Sequence, residues 1–106
     1  MLEELKAMIE KYKLVERSHE MFWEVFKDYK EEEKSEFEKY FGDDYDESKL
    51  EVELRNIAYE LLDYPECDYE SIVVRMRVIY KMHEVGGFTA CYTMEGGYED
   101  DYFVMY

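Results

Sequence analysis

The sequence predicts an α+β domain in which about four N-terminal helices pack on the apolar face of a C-terminal three-stranded antiparallel sheet. The first 41 residues contain neither glycine nor proline, so nothing there interrupts a helix. Beyond Pro65 the apolar period changes from about 3.6 residues to about 2. Helical and strand patterns are segregated along the chain, which is typical of this class. A single domain is expected over residues 1–106, with a helical part at 1–64 and a sheet at 69–106.

Four helices are predicted in the first part. The first carries apolar residues at helical spacing from Leu2 to Tyr12, and the second follows Ser18, which is a suitable N-cap. Ser35 and Ser48 each begin a Ser-x-x-Glu capping box, which predicts two more helix starts. Gly42 would end the third helix, and Asp63-Tyr64-Pro65 would end the fourth. The apolar face of the fourth helix would comprise Leu50, Leu54, Ile57, Ala58 and Leu61.

The sheet begins where apolar residues alternate with others from Ile72 to His83. Gly86-Gly87 and Gly96-Gly97 then predict two turns, which separate strands at Phe88–Met94 and Tyr102–Tyr106. The other face of the first strand carries the cations Arg75, Arg77 and Lys81. We expect these cations to offset acids on neighbouring strands rather than to hold an anion.

The composition limits the class of partner. The chain has 28 Asp+Glu and 13 Lys+Arg, a net charge of -15, and 47% of its residues are hydrophobic. That hydrophobic content separates it from a disordered acidic tail. Proteins that bind nucleic acid phosphates or anionic lipid need a cationic footprint, so both functions are disfavoured. The expected partner is a basic protein, with no direct contact to nucleic acid or membrane.

The negative charge is concentrated. Residues 35–70 hold 3 basic and 13 acidic side chains, a net -10, against -3 for residues 1–34 and -2 for residues 71–106. A charge run is usually a solvated face, but here tyrosines, which are enriched at interfaces, stand among the carboxylates. The sequence leaves open whether the segments share a face. The candidate partner-binding residues in them are Asp43, Asp44, Tyr45, Asp46, Glu47, Asp63, Glu66, Asp68, Tyr69, Glu70, Glu99, Asp100, Asp101 and Tyr102.

The predicted fourth helix adds four candidates. At 100° per residue, Val52 and Tyr59 project from the side opposite to its apolar face, beside Glu53 and Glu60. An exposed apolar pair with an acidic border is typical of a contact surface. Another helix could equally cover this pair.

Catalytic and metal-binding motifs find little support. Asp44, Asp46 and Ser48 approach the spacing of an EF-hand loop, but its sixth and twelfth positions are Lys49 and Arg55. The two histidines and two cysteines do not approach zinc-site spacing, and the sequence leaves open whether Cys67 and Cys91 form a disulfide. There is no Gly-x-Ser-x-Gly elbow or phosphate-binding glycine loop. We therefore expect no enzyme activity, no cofactor and no metal, and loose binding of a divalent cation by residues 43–47 is the weaker alternative.

In size and charge the chain resembles phage-encoded DNA-mimic and anti-CRISPR inhibitors. The resemblance rests on the net charge of -15 over 106 residues and on no family motif, so it transfers no functional residues. It implies an inhibitor that blocks the cationic groove of a CRISPR effector or other host-defence nuclease. Two cysteines in a sequence without a secretory signal fit a reducing compartment, so we expect a cytoplasmic location, in the host cytoplasm if the protein is phage-encoded. Closely spaced carboxylates can bind Arg and Lys side chains that are placed for a phosphate backbone.

Two other functions fit the sequence. An immunity protein for a nuclease toxin needs the same acidic surface to cover a basic active site. A small α+β enzyme or ligand-binding domain would instead have a pocket between helices and sheet, and its acidic surface would be incidental.

Overall fold

A computed structural model describes residues 2–66 and 69–106, in which three helices precede a four-stranded sheet. The elements are α1 (Leu2–Lys11), α2 (Leu14–Glu32), α3 (Lys34–Phe41), a 3-10 turn (Glu47–Lys49), β1 (Leu50–Leu62), β2 (Tyr69–Tyr80), β3 (His83–Tyr92) and β4 (Tyr98–Met105). The strand order is β1-β2-β3-β4, and each strand is antiparallel to the next. The α+β class is confirmed, whereas the predicted numbers of helices and strands are wrong by one each.

The predicted fourth helix is a strand, β1, and a β-bulge at Arg55 explains the error. A bulge inserts one extra residue into one strand of a pair. Helix-facing side chains of β1 are therefore even-numbered before Arg55 and odd-numbered after it. The helix-facing pairs are Leu50↔Tyr80, Val52↔Val78, Leu54↔Met76, Ile57↔Val74 and Tyr59↔Ile72. The change of phase gives the apolar residues spacings of three and four, which imitate a helix.

The capping box at Ser48 forms a different local structure. The amide and hydroxyl of Ser48 both donate to Asp46 Oδ1, at 3.1 and 2.7 Å. Asp46 thus caps the 3-10 turn that leads into β1, and Ser48 caps no helix.

Ser18 is not the N-cap of α2. The helix begins at Leu14, directly after Lys13, whose φ is 53°. Ser18 lies one turn inside the helix and is fully buried. Its hydroxyl donates to the Leu14 carbonyl (2.7 Å) and lies 2.8 Å from the hydroxyl of Tyr92 on β3. Because the single serine proton goes to Leu14, the Tyr92 hydroxyl is the donor to Ser18.

Helix α3 confirms the predicted third helix and its end. It stops at Phe41, and Gly42 follows with a φ of 77°. Its start differs from the prediction, because Glu33 is the N-cap residue and Ser35 lies within the first turn.

The turn predicted at Gly86-Gly87 lies elsewhere. Tyr80 pairs with His83, so Lys81-Met82 form a two-residue connection, with φ of 49° and 70°. Gly86 lies within β3, where a Cβ would stand 2.5 Å from the Val104 carbonyl oxygen of β4. Gly86 therefore allows the backbones of β3 and β4 to approach closely. Lys81 belongs to the turn and not, as predicted, to the face of the strand.

The turn at Gly96-Gly97 is confirmed. Gly96 has a φ of 82°, and a Cβ there would stand 2.3 Å from the ring of Tyr12 between α1 and α2. The Gly96 carbonyl accepts a 2.7 Å hydrogen bond from Arg17 of α2. The β3–β4 connection is therefore fixed against the helices.

The helices cover one face of the sheet, as predicted. Phe22 and Phe26 of α2 are fully buried, and their rings lie 5.7 and 6.2 Å from those of Phe88 and Phe103. The alternating residues of β2 from Ile72 to Tyr80 contribute to the same core. The opposite face of the sheet, which we call the open face, carries Arg75, Arg77, Thr89, Cys91 and Tyr102, all of them at least partly exposed.

Candidate partner-binding surface

Two of the three acidic, tyrosine-bearing segments meet at one end of the sheet. β1 ends at Leu62 and β2 begins at Tyr69, while β3 ends at Tyr92 and β4 begins at Tyr98. In an antiparallel sheet with this strand order, these four positions lie at the same end of the sheet. We call residues 59–66, 69–71 and 98–102 the acidic end. Of the predicted site residues it contains Tyr59, Glu60, Asp63, Glu66, Tyr69, Glu70, Glu99, Asp100, Asp101 and Tyr102, while Asp68 lies outside the described residues.

The third segment, residues 43–47, lies at the opposite end of the sheet. It precedes β1, beside the end of β2, and the 12 residues of β2 separate it from the acidic end by about 36 Å of strand rise. Lysines accompany two of its acids: Lys81 Nζ lies 3.8 Å from Asp44 Oδ2, and Lys30 Nζ lies 2.9 Å from Glu47 Oε1. The three segments therefore do not form one surface.

Two further residues of this segment have structural roles. The ring of Tyr45 stacks on Tyr80 at 5.5 Å and packs against the core, so it is not a free anchor. The carboxylate of Asp46 caps the 3-10 turn, and the Ser48 hydrogen bonds lower its pKa. Asp43 is exposed.

Tyrosine hydroxyls orient carboxylates at the acidic end. Tyr98 donates to Asp101 Oδ2 at 2.6 Å and Tyr102 donates to Asp100 Oδ2 at 2.9 Å. These bonds raise the pKa of both phenols, that of Tyr98 to about 12. The phenols therefore remain protonated donors at neutral pH. Tyr59 makes the same kind of bond to Glu70.

Four tyrosine rings at this end, those of Tyr64, Tyr69, Tyr98 and Tyr102, are exposed and can make contacts. Exposed fractions run from 46% for Tyr69 to 67% for Tyr64, with Tyr98 and Tyr102 between them. Tyr64 and Tyr98 were not among the predicted site residues, although both stand beside acids as the chosen tyrosines do.

Val52 and Tyr59 do not lie opposite to the apolar residues of β1, as the predicted fourth helix required. Val52 and Tyr59 are half-buried on the helix-facing side of β1 and pack against the core, because the bulge gives both the same orientation. The more exposed apolar residues on that side are Leu54 and Leu61.

The arginines of the open face pair with acids of β1, as predicted. Arg75 bonds Glu60, and Arg77 Nε lies 3.8 Å from Glu53 Oε2. The charges of Glu53 and Glu60 are thus partly neutralised. The acids that remain available to a partner lie in the turns and in β4.

A pocket of about 150 Å³ opens on the open face at the acidic end. It is lined by Leu62, Tyr69, Ser71, Cys91, Glu99, Asp100 and Tyr102. Burial is the main cause that raises the pKa of both the Cys91 thiol and the Glu99 carboxyl. Four strands contribute to this pocket, so no local pattern could have marked Ser71 or Cys91 as members. Pairing of Cys91 with Cys67 falls outside the described residues.

A depression of about 460 Å³ lies beside the β2–β3 turn, at the end of the sheet opposite to the acidic end, and is lined by Ser48, Lys49, Glu51, Lys81 and Met82. Within residues 2–66 and 69–106, no three His, Cys, Asp or Glu side chains are grouped to hold a metal ion. None of the helices in these ranges has the length and apolar character that a membrane span requires.

No protein-family model matches this chain, and comparison with curated proteins and with solved structures likewise found no match.

Proposed function

We propose that this chain is an acidic protein inhibitor that occupies the cationic nucleic-acid-binding surface of a target protein, such as a CRISPR effector or other host-defence nuclease. The observation that carries the proposal is the meeting, at one end of the sheet, of two acidic segments whose tyrosine rings are exposed.

The charge at this end needs a cationic counterpart. The acidic end, residues 59–66, 69–71 and 98–102, contains seven carboxylates and no lysine or arginine, and one of these carboxylates, that of Glu60, is paired with Arg75. Crowded like charges repel and lower folding stability, so such a field favours a partner of opposite sign. Arg17 of α2 is close to this end, but it is engaged with the Gly96 carbonyl and the Tyr92 ring.

The tyrosines provide the short-range part of the interaction. Surface charge accelerates encounter, but its effect is screened beyond about 8 Å at physiological salt. Amphipathic rings such as those of Tyr69 and Tyr102 can be desolvated against the partner, which slows dissociation. Carboxylates held by tyrosine hydroxyls offer fixed acceptors to Arg and Lys side chains that otherwise bind phosphates. The mechanism is competition with nucleic acid for one surface.

The test is inhibition of DNA binding by a guide-loaded CRISPR nuclease and by other basic nucleases, measured by mobility shift at several salt concentrations. For a true target, the apparent Kd for DNA should rise in proportion to the inhibitor concentration, and less so at high salt. The chain alone should not shift DNA.

Two matched variants locate the surface. Asp100→Lys/Asp101→Lys and Asp43→Lys/Asp44→Lys change the net charge equally, at opposite ends of the sheet. Inhibition should weaken at least tenfold for the first pair, since it introduces like charges at the contact, and change little for the second. Equal loss for both folded variants would show that net charge alone acts, and the absence of inhibition of every nuclease tested would contradict the proposal.

A further inference from the structure

The pocket at the acidic end has an unusual balance of polar groups. Ser71 is only 1% exposed, and its hydroxyl donates a long 3.5 Å hydrogen bond to the Tyr92 carbonyl, while no group within residues 2–66 and 69–106 donates to its lone pairs. Among the residues that the structure describes, buried Glu99 Oε1 has no hydrogen-bond partner. A buried acceptor without a donor is costly. The pocket therefore offers acceptors to an occupant that brings donors.

The other lining groups narrow the chemistry of that occupant. Tyr69 and Tyr102 contribute exposed aromatic rings, and the Asp100 carboxylate, held by Tyr102, adds negative charge. Negative charge excludes a phosphate or another anion. Aromatic faces and carboxylates together favour an organic cation.

We propose that this pocket receives the guanidinium group of an arginine side chain displayed by the basic partner, an inference that rests on the proposed function. Guanidinium is planar, carries five N–H donors, stacks on aromatic rings and is more weakly hydrated than the lysine ammonium. A cavity of about 150 Å³ can hold a benzene molecule in another protein, so this pocket has room for the planar group. Glu99 and Ser71 accept from it at the base of the pocket, and Asp100 accepts at the rim.

The experiment uses the full chain and two peptides of equal charge, acetyl-(Gly-Arg)4-Gly-amide and acetyl-(Gly-Lys)4-Gly-amide. Calorimetry gives the two affinities, and amide chemical shifts locate the site. The arginine peptide should bind about tenfold more tightly, with shifts at Ser71, Cys91 and Tyr102.

Glu99→Gln should remove this preference, because the amide offers a weaker acceptor without charge. Burial raises the pKa of Glu99, so a neutral amide should be tolerated by the fold. Glu95→Gln is the matched control: it removes the same charge from an exposed site in the β3–β4 connection outside the pocket, and should leave the preference intact. Tyr102→Leu, which removes an exposed ring, is the second test should Glu99→Gln fail to fold.

The outcomes separate this inference from the proposed function. Loss of the arginine preference in Glu99→Gln or Tyr102→Leu, with retention in Glu95→Gln, supports the pocket. Equal binding of both peptides, or equal effects of Glu99→Gln and Glu95→Gln, overturns the pocket but leaves an acidic contact surface. If neither peptide binds at low salt, the cation-binding surface itself is refuted.

Discussion

Deleting Arg55 tests whether the bulge sets the two faces of β1. Arg55 is the residue without a partner on β2, so deleting it alone should give a regularly alternating strand in which Ile57, Tyr59 and Leu61 keep their helix-facing positions. Deleting Arg55 together with Asn56 should instead turn Ile57, Tyr59 and Leu61 towards the open face and Glu60 towards the helices. Arg55→Ala is the matched control, because it keeps the residue count and therefore the bulge.

The expected loss of stability follows from the burial of three side chains. Complete burial of a large apolar side chain contributes about 1.5–3 kcal/mol. Ile57, Tyr59 and Leu61 are each about half-buried, so their reorientation in the double deletion should cost about 2–4 kcal/mol in total. Arg55→Ala removes only the 2.5 Å pair with Glu84, whose side chains are 45% and 32% exposed, and should cost at most about 1 kcal/mol.

Urea unfolding of the two deletions, the alanine variant and the parent, followed by far-UV circular dichroism, measures this difference. The double deletion should have a clearly lower midpoint than Arg55→Ala, whereas deletion of Arg55 alone should stay close to Arg55→Ala. If the double deletion and Arg55→Ala unfold at the same midpoint, or if both deletions lower it equally, the bulge does not fix the orientation of β1, and our explanation of its misleading sequence pattern is refuted.

Three further perturbations test other parts of the fold. Ser18→Ala leaves the buried Tyr92 hydroxyl without its acceptor and should cost about 1–3 kcal/mol. Adding Tyr92→Phe should recover part of this loss, and additive losses in chemical denaturation of the double-mutant cycle would contradict the bond. Gly96→Ala should lower stability by about 2 kcal/mol more than Gly97→Ala, because only Gly96 has a positive φ, 82°, and a ring at Cβ distance. Equal melting temperatures would contradict this. Burial raises the pKa of Tyr29 from 10.0 to about 12, so the folded state binds the proton more tightly than the unfolded state. The stability that this residue contributes is present below pH 10 and should be lost as the pH rises towards 12; Tyr29→Phe should reduce that alkaline loss in urea titrations, and an unchanged slope would exclude Tyr29 as its source.

The helical part of the fold could be predicted because its determinants are local. Apolar spacing and the absence of glycine and proline predict helices over the first 41 residues, and Gly42 marks the end of α3. The alternation in β2 is equally local, since that strand is buried on the helix-facing side along most of its length. The acidic and tyrosine residues of the candidate surface could be identified from the sequence for the same reason, because long charged runs stay in contact with solvent.

The bulge in β1 and the β2–β3 connection depend instead on how neighbouring strands pair. The bulge at Arg55 changes the phase of β1 only relative to its neighbour β2, so periodicity within β1 resembles that of a helix. The two-residue connection at Lys81-Met82 contains no glycine, and it is the pairing of Tyr80 with His83 that places it there. Local pattern carries no information on either.

The candidate surface likewise has one part that the sequence could predict and another that only the tertiary structure determined. Sequence alone identified three acidic segments and their tyrosines, because charge and residue type belong to each segment by itself. Only strand order and strand length decided that residues 98–102 meet the β1–β2 connection, while residues 43–47 lie about 36 Å away. The pocket that contains Ser71, Cys91 and Glu99 exists only where four strands lie side by side, since residues distant in the chain become neighbours through backbone pairing.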